Sequence, residues 1–148
     1  MRDGKPHRAQ RPEDTPTLEL DMTVPASVAG ITPAVERVLA VAASMDCAAD
    51  KEFEIETALR EALANAMVHG CDSDPRKEVQ VQVACTPTGG MVIIVSDPGS
   101  GFDPADVPQP DQGEALYSDH GRGIFLIQRL MDEVRIERGG TRIWMRKG

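Results

Sequence analysis

The order of hydrophobic periodicities along this chain leaves it few architectures. Leu18, Leu20 and Met22 alternate with Glu19 and Asp21, the period of a half-buried strand. Thr32-Pro33 reads as an N-cap followed by proline at the first helical position, and Val35, Val38, Leu39, Ala42 and Met45 follow at helical spacing. A second helix is predicted over about Lys51 to His69, with Ile55, Leu59, Ala62, Leu63 and Ala66 as its apolar stripe and Gly70 as its C-terminal stop. Val79, Val81 and Val83 alternate with Gln80 and Gln82; Thr86 to Gly90 is a turn, and Met91 to Ser96 returns as a strand. Gly121 opens a third helix through about Met131, and Val134 to Glu137, Arg138 to Gly140 and Thr141 to Met145 make a closing hairpin. This order predicts an α+β two-layer sandwich, a mostly antiparallel (mixed) sheet covered on one face by helices.

Residues 1–16 are polar and carry Pro6, Pro12 and Pro16, so they are read as a disordered tail preceding one domain over 17–148. Residues 103–120 hold Pro104, Pro108, Pro110 and Gly113 among acidic side chains, the character of a lid or binding loop. The aromatic residues are only Trp144, Tyr117, Phe53, Phe102 and Phe125, so the core must be aliphatic. A net charge of −8 disfavours a nucleic-acid partner, which calls for a basic face. Cys47, Cys71 and Cys85 are odd in number and widely spaced, unlike a disulfide framework, and no CxxC pair suggests zinc; a reducing cytoplasm is the simple reading. No apolar run is read as a membrane span, and Met1 to Pro6 lacks the apolar stretch of a signal peptide.

Three short motifs carry chemistry. Glu61, Asn65 and His69 are spaced by four, so they share a helix face that the apolar stripe does not use. An asparagine amide oxygen can ligate Mg²⁺ that also takes phosphate oxygens, and a carboxylate one turn earlier can accept a proton from an attacking hydroxyl. Taken alone, the pair is better read as an ordinary solvated helix face. Asp97-Pro-Gly99-Ser-Gly101 comes directly after a strand. A carboxylate held there only accepts hydrogen bonds and suits the exocyclic amine of adenine, while glycines permit close approach. Alone, this too is a plain turn. Gly121-Arg122-Gly123 precedes the third helix. Exposed amides at a helix start suit phosphate, and Arg122 adds a charge-assisted donor; the alternative is a flexible connection with a surface arginine. His69 and His120 are read as a helix-end and a loop residue. Cys71 comes just after the first motif, where it is either near the site or an ordinary buried residue. In this order the three motifs point to an ATP site.

At these residues the chain resembles the GHKL ATP-binding superfamily of gyrase, heat-shock chaperone, histidine kinase and mismatch-repair ATPases. Within it, the sequence is most similar to the small anti-sigma-factor serine kinases. Glu61-Ala-Leu-Ala-Asn65-Ala-Met-Val-His69-Gly70 resembles their first ATP box and Asp97-Pro-Gly99-Ser-Gly101-Phe102-Asp103 their adenine box. Gly121-Arg122-Gly123-Ile-Phe-Leu-Ile and the later Met131-Asp132-Glu133-Val134 resemble their last box and its helix. Val24-Pro25-Ala26-Ser27 resembles the segment joining the family's first strand and helix, and the likeness runs from about residue 17 to the end. It implies the histidine-kinase-like ATPase fold, Mg²⁺ and ATP as cofactors, Glu61 as the base that phosphorylates a serine, and Asn65 as the magnesium ligand. It further implies Asp97 on adenine, with Gly99, Gly101, Gly121, Arg122, Gly123 and Thr141 shaping the nucleotide pocket. Implied partners are a sigma factor, an anti-sigma-factor antagonist and a second copy of the chain, with Arg37 a candidate partner contact and a solvent-facing helix arginine its simpler reading. Pro98 departs from the family's usual polar residue, and no Lys or Arg lies between Gly101 and His120, which leaves Arg122 as the main γ-phosphate candidate. No phospho-accepting histidine domain precedes the ATP region, which argues against a complete histidine kinase.

Three functions compete. The first is an Mg-ATP-dependent serine kinase that is also an anti-sigma factor. The second is an ATP-binding anti-sigma module of the partner-switching type without kinase activity. The third is a scaffold that has lost nucleotide binding. Glu61 favours the first, because binding alone needs no base.

Overall fold

The computed structural model describes residues 17–99 and 119–148. The tail over 1–16, Gly101 and the body of the lid therefore lie outside the described residues. Five strands form one sheet: β1 (Thr17–Pro25), β2 (Glu78–Cys85), β3 (Met91–Ser96), β4 (Glu133–Glu137) and β5 (Arg142–Lys147), in the order β1-β2-β3-β5-β4. All four pairings are antiparallel. Three helices cover one face: α1 (Ile31–Met45), α2 (Glu52–Asn65) and α3 (Asp119–Leu130).

Register explains how the sheet builds its core. Val24 faces Val79, Met22 faces Val81, Val81 faces Val95 and Val83 faces Ile93. Ile93 in turn faces Met145, which faces Val134. Period-2 alternation puts this row on the helix side, where Val79, Val81, Val83, Ile93 and Met145 are fully buried. The opposite face carries Ile94 and Trp144 under long charged side chains. The Arg135 guanidinium stacks 4.1 Å from the Trp144 ring centroid, and Arg135 and Arg146 both pair with Glu133.

The helix α2 lies centrally, packing on both α1 and α3. Its stripe Ile55, Leu59, Ala62 and Leu63 is buried as expected, and Ala58 and Asn65 are buried with it. The helical run does end at Gly70, but not as a regular α-helix beyond Asn65. It loosens into a π-helical turn over Ala66–Gly70, with the Cys71 N–H donating to the Ala66 carbonyl. Helix α1 begins at Ile31 after a 3₁₀ turn over Val28–Gly30, so Thr32 is a first-turn residue and not the N-cap. By length and composition the stretch Val28–Met45 (mean hydropathy 1.4) is long and apolar enough to span a membrane, contrary to the sequence reading. Here it is a helix of the domain: Ala34, Val35, Val38 and Ala42 are buried, and Glu36 and Arg37 are exposed.

The cysteine reading is also corrected. Cys47, just past α1, and Cys85, at the end of β2, form a disulfide with Cα atoms 5.9 Å apart. The two are 38 positions apart in the chain, and the packing of the sheet against the helices is what joins them.

Because Leu59 is fully buried in this aliphatic core, Leu59→Ala is expected to cost about 2–5 kcal/mol in urea unfolding. Phe53→Ala, at a side chain 71% exposed, is expected to change stability by less than about 0.5 kcal/mol.

Candidate functional site

The sequence motifs meet along the last turns of α2. Two glycines make the meeting possible. At Gly70 an added Cβ would run into the Asp97 carboxylate, so the strand end at Asp97 rests directly on the backbone of the π-helical turn. Gly99 packs on the same spot, where a Cβ would meet the Gly70 carbonyl and, at 3.0 Å, Asp97 Oδ1. A glycine is expected at Gly70 as a helix stop. Its observed role is close approach, and its φ is not among the positive ones.

Two hydrogen bonds fix Asp97. Its N–H donates to the Thr141 carbonyl at 2.8 Å, which ties the end of β3 to the start of β5. Its Oδ1 accepts the Gly99 N–H at 2.8 Å, closing a tight turn across Pro98. Half-burial pushes its carboxyl above the usual aspartate range, with the Gly99 hydrogen bond pulling the other way. Cys71 lies beneath, fully buried. Burial first, and then the negative charge of Asp97, push its thiol up, so it is an ordinary buried residue and not a reactive one.

The second half of the site is the contact of α2 with α3. A Cβ on Gly123 would sit 2.9 Å from Asn65 Nδ2 and 3.1 Å from Glu61 Oε1. Gly123 thus lets the start of α3 close over the Glu61–Asn65 face. The spacing alone puts that face in solvent. Instead Asn65 is 8% exposed and Glu61 is half-buried. The Gly121-Arg122-Gly123 segment, expected as a turn before the helix, lies inside α3, which starts at Asp119.

Asn65 Nδ2 is buried without a hydrogen-bond partner among the described residues. An unpaired buried amide costs about 1–3 kcal/mol, and a structure retains such a group where a ligand satisfies it. The unpaired N–H donor suits a phosphate oxygen and the amide oxygen of the same side chain suits a hard cation, so the residue fits Mg²⁺-nucleotide chemistry. Among the described residues no cluster of three or more His, Cys, Asp or Glu could hold a metal by itself, and a nucleotide magnesium, which keeps waters and phosphate oxygens, needs none.

Of the remaining candidates, Thr141 is beside Asp97 through its carbonyl, and its Oγ1 donates to the Arg138 carbonyl at 3.0 Å. Arg37 is exposed, away from this cluster, at a groove between β1 and α1 lined by Met22, Val24, Pro25, Pro33 and Ala34. His69 is exposed in the π-helical turn. No local pattern signals the direct Gly70–Asp97 contact, since the two are 27 positions apart and join only through the fold.

Gly70→Ala is expected to destabilise the protein by about 1–3 kcal/mol, because the new methyl has no room beside the Asp97 carboxylate. Asp97→Gly in the same chain should recover most of that loss, a coupling that a double-mutant cycle in urea measures.

Comparison with known proteins agrees with this geometry. Residues 24–147 match the family model described as a histidine kinase-like ATPase domain. The chain is 32% identical to the anti-sigma F factor of Geobacillus stearothermophilus over 117 residues, 74% of this chain and 78% of the relative. It is 29% identical to the anti-sigma F factor of Priestia megaterium over 112 residues, 70% and 74% of the two chains. It is 32% identical to the serine-protein kinase RsbW of Bacillus subtilis (strain 168) over 104 residues, 66% and 64% of the two. The antiparallel sheet, the three-helix layer and these matches together establish that the chain belongs to the histidine kinase-like ATPases, in the family of the anti-sigma-factor serine kinases.

Proposed function

We propose that this protein is a Mg-ATP-dependent serine kinase and anti-sigma factor that phosphorylates an anti-sigma-factor antagonist and sequesters a sigma factor in the cytoplasm. The observation that carries the reading is the convergence at one helix end: Asp97 on Gly70, and Gly123 on Glu61 and Asn65. The names of the relatives, anti-sigma F factor and serine-protein kinase, support the partner class.

Asp97 would take the adenine amine through the carboxylate oxygen that does not accept from Gly99, with Gly99 and Gly70 setting the place of that carboxylate and Thr141 held beside it. The Asn65 amide would hold Mg²⁺, which neutralises charge on the phosphates when bound. Backbone amides at the first turn of α3 would face the phosphates, and the family resemblance assigns Gly121, Arg122, Gly123 and Gly101 to the same wall. Glu61 accepts the proton of the acceptor serine as its oxygen bonds to the γ-phosphorus and the bond to the departing ADP oxygen breaks. Catalysis then comes mainly from positioning and charge neutralisation. A second copy docks through the β1–α1 region and the sigma factor binds across the pair. Arg37, exposed beside an apolar groove there, is the candidate contact.

Glu61→Ala should lower phosphate transfer to the antagonist at least 100-fold while leaving ATP affinity within about threefold, measured with labelled ATP and by nucleotide titration. Unchanged transfer rejects the mechanism. ATP binding without any transfer by the native protein points instead to a binding-only anti-sigma module.

Asp97→Asn tests adenine recognition and carries a pH signature. The folded protein holds the Asp97 proton more tightly than the unfolded chain does, so ionisation at neutral pH costs stability. The variant should therefore be at least as stable as the native apo-protein at pH 7. Its advantage should fade as the pH falls through the raised range of the folded carboxyl and be gone below the ordinary aspartate range, where the native carboxyl is protonated in both states. ATP should raise the melting temperature of the native protein and not of the variant.

A further inference from the structure

We propose that Cys47 and Cys85 form a reversible redox staple that locks the far end of α1 to the sheet, remote from the nucleotide site. The geometry supports both states of the pair. Their Cα atoms are 5.9 Å apart with the sulfurs in bonding contact. In the reduced state the Cys47 thiol need not be orphaned, because the Gly90 carbonyl lies 3.6 Å from its Sγ. Cys47 is buried at 2% exposure, whereas Cys85 is only half-buried, so Cys85 is the sulfur that solvent reagents reach.

The segment the staple holds is under backbone strain. Asp46, Ala48 and Asp50 all adopt positive φ (55°, 49° and 67°), and none is glycine. Only a few backbone hydrogen bonds hold the segment, among them Ala48 N–H to the Gly89 carbonyl at 2.6 Å and Cys47 N–H to the Ala42 carbonyl at 2.9 Å. A covalent tie at Cys47 restrains this strained connection in the folded state. It also shortens the free loop of the unfolded chain across 38 positions.

Chemically, a hydroperoxide is a sufficient oxidant. The Cys85 thiolate attacks the peroxide, giving a sulfenic acid and water. The Cys47 sulfur then displaces the hydroxyl, which leaves as a second water, so two thiols and one hydrogen peroxide become one disulfide and two waters. Reversal is by exchange: an external dithiol attacks Cys85, Cys47 departs as thiolate and is protonated, and the second external thiol releases Cys85. Cys71 takes no part, being fully buried at the other end of the molecule. Cys85 pairs with Met91 at the start of β3, while Asp97 comes just after the last residue of that strand, about 20 Å along it. The staple therefore changes stability without changing nucleotide binding.

The test uses the full chain, treated with hydrogen peroxide or with dithiothreitol. Peptide mapping of alkylated protein should show a Cys47–Cys85 cross-link after peroxide, with Cys71 still a thiol. Reduction should lower the melting temperature by about 5–10 °C and raise hydrogen exchange over 46–50. Cys85→Ser, a mild change at a half-buried position, should abolish the redox dependence, and Cys71→Ser should retain it. Affinity for a fluorescent ATP analogue should agree within twofold between the two states. A cross-link involving Cys71, equal melting temperatures, or redox dependence persisting in Cys85→Ser overturns the staple. A tenfold change in nucleotide affinity overturns its separation from the site.

Discussion

The close approach of the Asp97 carboxylate to the backbone of Gly70 governs the arrangement of everything around it. A strand can end against a helix at this distance only if the helix presents no Cβ, and here Gly70 on one side and Gly99 on the other provide that. The contact settles where β3 stops relative to α2. Because Asp97 also donates its N–H to the Thr141 carbonyl, it also settles the start of β5. The π-helical turn Ala66–Gly70 is part of the same solution. It continues the axis of α2 for one wider turn and delivers Gly70 to the strand while Asn65 faces α3.

Polar groups in this region work against the stability that the aliphatic core supplies. Asp97 is half-buried and its ionised form is disfavoured; Asn65 is buried with an unpaired amide nitrogen. Both lie at the one helix whose other face, Ile55, Leu59 and Leu63, is wholly buried. The burial of that face holds these poorly satisfied groups in place. The family to which the chain belongs handles ATP, and these two residues are where the cost is concentrated.

Much of this is legible from residues. Alternation in Val79–Val83 locates β2, because a strand with one buried face must alternate, and the turn over Thr86 to Gly90 places the unbroken apolar run Met91–Ser96 as its returning strand. The α2 stripe is legible for the same reason at period 3.6, and the four-residue spacing of Glu61 and Asn65 puts them on one face. What covers that face is not legible. Gly123 looks like a turn residue and is a packing residue inside α3, because glycine answers both to backbone freedom and to a missing side chain, and local sequence cannot tell these apart. The start of α1 is misplaced at Thr32 by its proline, since a preceding 3₁₀ turn leaves no distinctive pattern. Cys47 and Cys85 do not read as a pair because a spacing of 38 carries no information about distance in space.

The sequence alone determined the period of β2 and of the helix stripes, the shared helix face of Glu61 and Asn65, and the family the motifs belong to, because these depend on residue type and near spacing. Only the tertiary structure decided that Gly70 meets Asp97, that Gly123 meets Asn65, and that Cys47 meets Cys85. Each of these contacts joins positions distant along the chain, and strand order, register and helix packing, which arise only when the whole core assembles, bring them within ångströms of one another.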